Sequence, residues 1–261
     1  MATTPVARPN VVFIIVDDLN DYTGFLGGHP QASTPNMDAL AARSTSFTDA
    51  YATLPICAPS RASLFTGVQP FRSGSLSFGE WFRNDRLKNS RTMMEYFRLN
   101  GYRTLGTGKL FHHNVGYIWD EFHGKVDYGP VWMEAGKLQA HPSVPQPYAQ
   151  LGEIDGSFAP ITGNGIVDED GRPYSGWWSI PYHRPVRLTG VVRRDLLPDE
   201  ISAGWAAQRI NEMAEAGESQ PFFLAVGFLR PHTPLHVPQE YFDRLPPESE
   251  ILIPNYDPLD A

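Results

Sequence analysis

Two short, unbroken apolar runs set the frame of this chain. Asn10-Val-Val-Phe-Ile-Ile-Val16 and Phe222-Phe-Leu-Ala-Val-Gly-Phe228 are rich in β-branched and aromatic residues and show no polar alternation. Each predicts a strand buried on both faces, the kind found in parallel sheets. Between them the spacing turns helical. Thr34-Pro35 predicts a helix through Arg43, with threonine as the cap and proline in the first turn. Ser46 to Ala52 reads as a further strand, and Pro59 to Phe65 as a helix ended by Gly67. Arg91 to Asn100 reads as a helix stopped by Gly101, with Tyr102 to Thr107 as the strand after it. Asp199 to Ala216 fits an amphipathic helix marked by Ile201, Trp205, Ile210 and Met213. This alternation predicts an α/β sandwich with a central, mostly parallel sheet flanked by helices.

From about Asn114 to Asp195 no period is sustained, and glycine, proline and aromatic residues are frequent. The stretch is expected to form a loop-rich insertion over the working edge of the sheet. Residues 1–9 read as a flexible polar tail, and Pro234, Pro238, Pro246, Pro247 and Pro254 predict an extended, turn-rich end. Charge changes the picture in one respect. A formal net charge of −8 argues against non-specific binding to nucleic acid or to an anionic membrane. It leaves an anionic substrate open, because a few local cations decide that. With one cysteine, Cys57, no internal disulfide is possible. The run Val11 to Val16 is too short to span a membrane and has no basic leader. The chain as it stands is expected in the cytoplasm, or in the periplasm or outside the cell if a leader has been removed.

Candidate chemistry begins where the first strand ends. Asp17 and Asp18 follow it directly, and in open α/β sheets ligands bind beyond the carboxyl ends of strands. Adjacent carboxylates repel unless a cation lies between them, and hard divalent ions take oxygen ligands. A turn with a helix-capping aspartate fits the same residues. Cys57-Ala-Pro-Ser-Arg61 is the sharper signal. A cysteine two residues before a helix-starting proline lies near free backbone N–H groups, where anions are favoured, and Arg61 one turn on can clamp an anion. The competing reading is a buried structural cysteine. Arg184, Arg187, Arg193 and Arg194 form a loose basic stretch, read either as a solvated loop or as cations for an acidic sugar. Trp177-Trp178 can stack on a sugar ring or pack the insertion.

Cys57-Ala-Pro-Ser-Arg61 followed by Leu64-Phe-Thr-Gly67 resembles the type I sulfatase signature, with Phe65 where leucine or methionine is usual. Asn100-Gly-Tyr-Arg-Thr-Leu-Gly-Thr-Gly-Lys109 resembles the second signature of that family, and Asn10 to Asp18 and Thr34 to Leu40 resemble its opening strand and first helix. Gly108-Lys-Leu-Phe-His112 and Pro221 to Pro234 look most like its iduronate 2-sulfatase branch. The resemblance covers residues 10–112 and about 196–255. It implies an alkaline-phosphatase/sulfatase-like fold and hydrolysis of a sulfate ester, of a carbohydrate and by branch of a sulfated uronic acid.

The family converts this cysteine to formylglycine through a dedicated maturation enzyme. The hydrated aldehyde attacks sulfur with one hydroxyl and releases sulfate when the other is deprotonated. By the same resemblance Asp17, Asp18 and modified Cys57 would ligate Ca2+, or Mg2+ in its place, while Arg61 holds the diol and Lys109 meets the sulfate oxygens. His112 and His232 match histidines facing the sulfate. His232 would protonate the leaving alcohol and His112 contact the diol, or the reverse. Arg230 is expected to pack near the site. Relatives close the metal site with an Asp-His or Asp-Asn pair and a second lysine late in a longer chain, and neither is found here. Glu121-Phe-His-Gly124 is a poor substitute, lying in the irregular segment rather than after a strand. Residues 10–261 are therefore read as the N-terminal part of a sulfatase catalytic domain whose C-terminal part is missing, to be completed by a further sulfatase segment or chain. A phosphate or phosphonate monoester hydrolase of the same superfamily, and an inactive fragment that binds ligand or partner, are the alternatives.

Overall fold

The computed structural model describes residues 8–113, 115–161, 176–187 and 194–252. Its strands are β1 (Val11–Val16), β2 (Arg103–Gly108), β3 (Glu121–His123), β4 (Val131–Glu134), β5 (Lys137–Gln139), β6 (Phe158–Ile161), β7 (Trp177–Ser179), β8 (Arg184–Pro185), β9 (Phe222–Phe228) and β10 (Leu235–Pro238). Its helices are α1 (Pro35–Ala41), α2 (Cys57–Thr66), α3 (Pro70–Ser73), α4 (Met93–Leu99), α5 (Gly152–Asp155), α6 (Pro198–Glu215) and α7 (Gln239–Phe242).

The main sheet has four strands in the order β1-β9-β2-β3, and every pairing in it is parallel. Strand β9 is central, which explains its unbroken apolar run: both faces are covered. On one face Phe223 stacks on Phe97 at 4.2 Å between centroids and lies beside Trp119 at 6.1 Å. Phe65, Trp81, Met94 and Phe111 complete that core. On the other face Leu224 and Val226 meet Ala206 and Met213 of α6, together with Leu105 of β2. Each large side chain buried this way contributes about 1.5–3 kcal/mol.

Strand β1 departs from expectation. Val11, Phe13 and Ile15 pack into the core, but Val12 and Ile14 remain 48% and 53% exposed. It lies at the sheet edge, and α6 packs on β9 and β2. The strand is thus covered on one face rather than two. Ser46 to Ala52 forms no strand. Phe47 and Tyr51 stand 80% and 87% exposed in a loop. Helix α1 ends at Ala41, short of Arg43. Thr34 sits at its cap position, yet its hydroxyl donates to Asp38 Oδ1 and accepts the Gly24 N–H instead. Helix α4 has the reciprocal cap: the Thr92 N–H donates to Glu95 Oε2, and the Glu95 N–H to Thr92 Oγ1.

The segment read as irregular contains more order than its sequence period shows. Strand β3 joins the main sheet, and β5-β4-β7-β8 form a separate antiparallel sheet of four strands. Strand β6 pairs in parallel with β10 from the turn-rich end of the chain. Trp177 is the fully buried centre of this region, with Trp132 and His236 edge-on at 5.2 and 4.7 Å and His141 stacked at 5.3 Å. Trp177 is therefore a packing residue.

Candidate active site

Because β1, β2 and β9 run parallel, their carboxyl ends open on one edge and deliver their following residues together. Strand β1 delivers Asp17 and Asp18, β2 delivers Lys109, and the turn after β9 delivers His232. Close contact of β2 and β9 at this edge depends on two glycines. Gly108 has φ +73°, and a Cβ there would collide with the Gly227 carbonyl oxygen. A Cβ at Gly227 would collide with the Lys109 carbonyl oxygen. The Lys109 N–H donates to Gly227 O at 2.9 Å, fixing the turn that aims the lysine.

Helix α2 begins at Cys57, two residues earlier than Pro59 would mark it. Pro59 is then in the first turn, where no intrahelical N–H is needed. Cys57 thus stands at the helix N-terminus, and Arg61 one turn later is buried. Cys57, Asp17, Asp18, Arg61 and His232 all line one cavity of about 560 Å3, with Phe78 as an aromatic wall. A cavity of about 600 Å3 between Leu64, Phe65, Arg91 and Tyr96 holds none of these groups.

Asp17 is the electrostatic centre. Its Oδ1 accepts from Arg61 Nη2 at 2.7 Å, and its Oδ2 accepts from Lys109 Nζ. Arg61 Nη1 donates to the carbonyls of Lys109 and Leu110. Burial works to raise the Asp17 pKa, but the Arg61 and Lys109 charges and hydrogen bonds outweigh it and hold the carboxyl below its ordinary value. Burial pulls Lys109 below the ordinary lysine value, with Asp17 opposing. Asp18, at φ +58°, is one of three non-glycine residues at positive φ among those described, a conformation aspartate tolerates better than most.

Residues 9–250 match the family model Sulfatase. The chain belongs to the sulfatase family. It is 34% identical to a sulfatase of Formosa agariphila over 94% of its own length and 43% of that protein. It is 31% identical to the iduronate 2-sulfatase of Homo sapiens over 94% of its length and 39% of that protein. The chain therefore spans less than half the length of these relatives. The crystal structure of Ps i-CgsB in complex with k-i-k-neocarrahexaose superposes with a TM-score of 0.54 at 26% identity, covering 92% of this chain and 49% of that one.

The two candidate histidines differ in setting. His232 Nδ1 lies 2.7 Å from the Thr233 carbonyl, so that nitrogen carries the proton and Nε2 is left for the cavity. His112 has a buried Nδ1 with no hydrogen-bond partner among the described residues, and its ring lies 5.0 Å from Phe78. Burial, then the Lys109 charge, lowers its pKa to about 4, so it is neutral near pH 7.

Metal ligation fits less well. Among the described residues no group of three or more His, Cys, Asp and Glu side chains is placed to hold an ion. Both Asp17 oxygens are engaged by cations. A hard ion wants about six oxygens. Asp17, Asp18 and residue 57 do not by themselves fit a Ca2+ or Mg2+ site. Glu121 and His123 do not complete it. They belong to edge strand β3, where Glu121 pairs with Arg103 at 3.0 Å and His123 stacks on Trp205 at 5.5 Å.

The basic stretch is largely neutralised. Arg194 makes two bonds of 2.6 Å to Glu200 and one of 3.0 Å to Glu240, and Arg184 faces Asp195 at 3.5 Å. Arg193 lies outside the described residues. Three residues that support the site carried no motif. Asp199, at the start of α6, accepts the N–H groups of Leu229 and Arg230 at 2.8 and 2.9 Å and so fixes the turn before His232. Asp127 accepts from Gly129 N at 2.8 Å and from Ser179 Oγ at 2.7 Å, tying the site to β7. Tyr128 places its ring 4.5 Å from Lys109 Nζ. Arg230 packs beside the site as expected, donating to the carbonyls of Tyr128 and Gly129 at 3.1 Å each.

Proposed function

We propose that the sulfatase carrying this chain hydrolyses a sulfate ester of a carbohydrate, with a sulfated uronic acid as the lead substrate and a formylglycine made from Cys57 as its nucleophile. The observation that carries this reading is the meeting of Cys57, at a helix N-terminus, with Asp17, Arg61 and His232 in one cavity. Likeness to the iduronate 2-sulfatases supports the uronic acid. A hydrated formylglycine supplies the hydroxyl that attacks sulfur. Lys109 and Arg61 offer positive charge to the sulfate oxygens, while the electron pair of the breaking S–O bond goes to the leaving oxygen. Asp17 holds both cations beside the cavity, whose lining includes Arg61, while Lys109 and His112 lie behind that lining. His232, with Nδ1–H fixed on the Thr233 carbonyl, presents Nε2 to that leaving oxygen and, in its imidazolium form, gives it the Nε2 proton. Neutral His112 serves as a hydrogen-bonding contact rather than an acid.

The test pairs a sulfate ester and a phosphate ester of the same alcohol, assayed with the full-length enzyme after co-expression with a formylglycine-generating enzyme. Sulfate release is expected to dominate, and Cys57→Ala to lower it about a thousandfold or more. Peptide mass spectrometry is expected to find the thiol converted to the aldehyde. Faster phosphate release would assign the phosphomonoesterase alternative. Full activity in Cys57→Ala would end the reading.

A further inference from the structure

Tyr128 lies in the stretch without sequence period, and it meets two of the site's polar groups at once. Its ring centroid is 4.5 Å from Lys109 Nζ and 5.3 Å from the His232 ring, the second contact edge-to-face at 66°. Lys109 is 2% exposed, so this contact is made out of water, where attraction between an ammonium and a π face is strongest. The ring is held from behind. Asp127 grips Gly129 N and Ser179 Oγ, and Arg230 Nη2 donates to the carbonyls of Tyr128 and Gly129. The backbone on both sides of Tyr128 is therefore tied to β7 and to the turn that carries His232.

A lysine is a point charge on a flexible stem, and burial alone does not fix it. Asp17 fixes it but also cancels its charge. An aromatic face stabilises the ammonium without supplying an anion, so the charge remains usable when Asp17 gives way to an incoming oxyanion. The same ring limits the rotation of His232. Burial, followed by the Cys57 and Asp17 charges, raises the Tyr128 phenol above its ordinary value, so the ring stays neutral in this role.

We propose that Tyr128 is a positioning residue whose ring holds Lys109 and His232 in register, so that the cation on the sulfate and the proton carrier on the leaving group act on one bound ester. The kinetic part of this inference rests on the sulfatase reading. Its geometric part does not.

Two variants of the full-length enzyme, Tyr128→Leu and Tyr128→Phe, test it. Tyr128→Leu is expected to lower kcat about tenfold with KM changed less than about twofold, since misplacement of positioned groups acts on the chemical step. Tyr128→Phe, which keeps the ring, is expected to restore most of that loss. Reductive methylation of the native protein with peptide mass spectrometry gives a readout independent of activity. Lys109 is expected to resist labelling in the parent and in Tyr128→Phe, and to become reactive in Tyr128→Leu. Unchanged Lys109 labelling in Tyr128→Leu overturns the proposal whatever the kinetics. Equal impairment of both variants also overturns it, because the role would then belong to the hydroxyl or to stability. Should the parent release no sulfate from any ester, the functional reading falls, and the labelling alone decides the placement of Lys109.

Discussion

The main-sheet edge and the insertion sheet beside it are built on opposite terms. The edge places charged groups at the ends of three parallel strands and packs its apolar weight behind them, around Phe223. The insertion sheet has strands of two to four residues and gathers its aromatic rings around one buried tryptophan. The first region gathers the candidate site of the proposed chemistry. The second is tied to that site through Asp127, Tyr128 and Ser179. Two cores that share few buried residues should be separable, and that separation can be attacked directly.

The largest expected effect comes from truncating each centre. Phe223→Ala and Trp177→Ala should each cost about 3–5 kcal/mol, the usual loss for a fully buried aromatic ring. The two losses should fall in different places. Hydrogen exchange on Trp177→Ala should show lost protection in β4, β6, β7 and β10, with β1, β2 and β9 still protected. Phe223→Ala should expose the main sheet itself. Global loss of protection in Trp177→Ala would show that the regions form one cooperative unit.

A smaller effect is expected at the charged edge. Asp17→Asn leaves Arg61 and Lys109 buried without their shared anion and should cost about 3 kcal/mol. The sign with pH follows from the depressed Asp17 pKa. A carboxylate held below its unfolded value adds stability that is present above about pH 4 and lost as pH falls through the folded value. Acid unfolding of the parent should therefore steepen below about pH 4, and Asp17→Asn should lack that component. An unchanged acid profile would mean that the ion pairs contribute nothing net.

The same contrast governs what the sequence reveals. Strand β9 was legible to the residue, because a central strand of a parallel sheet must be apolar on both faces. Helix α6 and strand β2 were displaced by a single residue at each end. Strand β1 has the same apolar signature, yet it lies at the edge with Val12 and Ile14 exposed, since composition does not report which neighbours a strand has. Asp17, Cys57 and Arg61 stand out locally because a strand end and a helix start leave marks in the sequence, whereas Lys109 is marked only by the resemblance of Asn100 to Lys109 to a family signature. Tyr128 and Asp199 left none. Their partners lie far along the chain, as when Asp127 bonds Ser179 or Asp199 caps the turn at Leu229, and no local spacing encodes such contacts.

Acid gives the smallest of these effects, through a histidine buried in the insertion's own core. His236 is fully buried among β6, β10 and Trp177, with its Nε2 2.9 Å from Ser157 Oγ and its Nδ1 3.2 Å from Ala159 O. Burial lowers its pKa from 6.5 to about 4. A histidine whose folded pKa is depressed stabilises above its unfolded pKa and loses that contribution as pH falls toward the folded value. The insertion should thus weaken from about pH 6.5 downward, by about 2 kcal/mol near pH 5, before Asp17 titrates at all. His112 and His141 shift in the same direction, so the effect must be read as a difference between proteins. In His236→Asn the slope of β6 and β10 exchange protection between about pH 6.5 and 4.5 should flatten, while β1 and β9 keep theirs. If β1 and β9 lose protection in step with β6 and β10, acid reaches both regions through one shared transition and the division drawn between them is wrong.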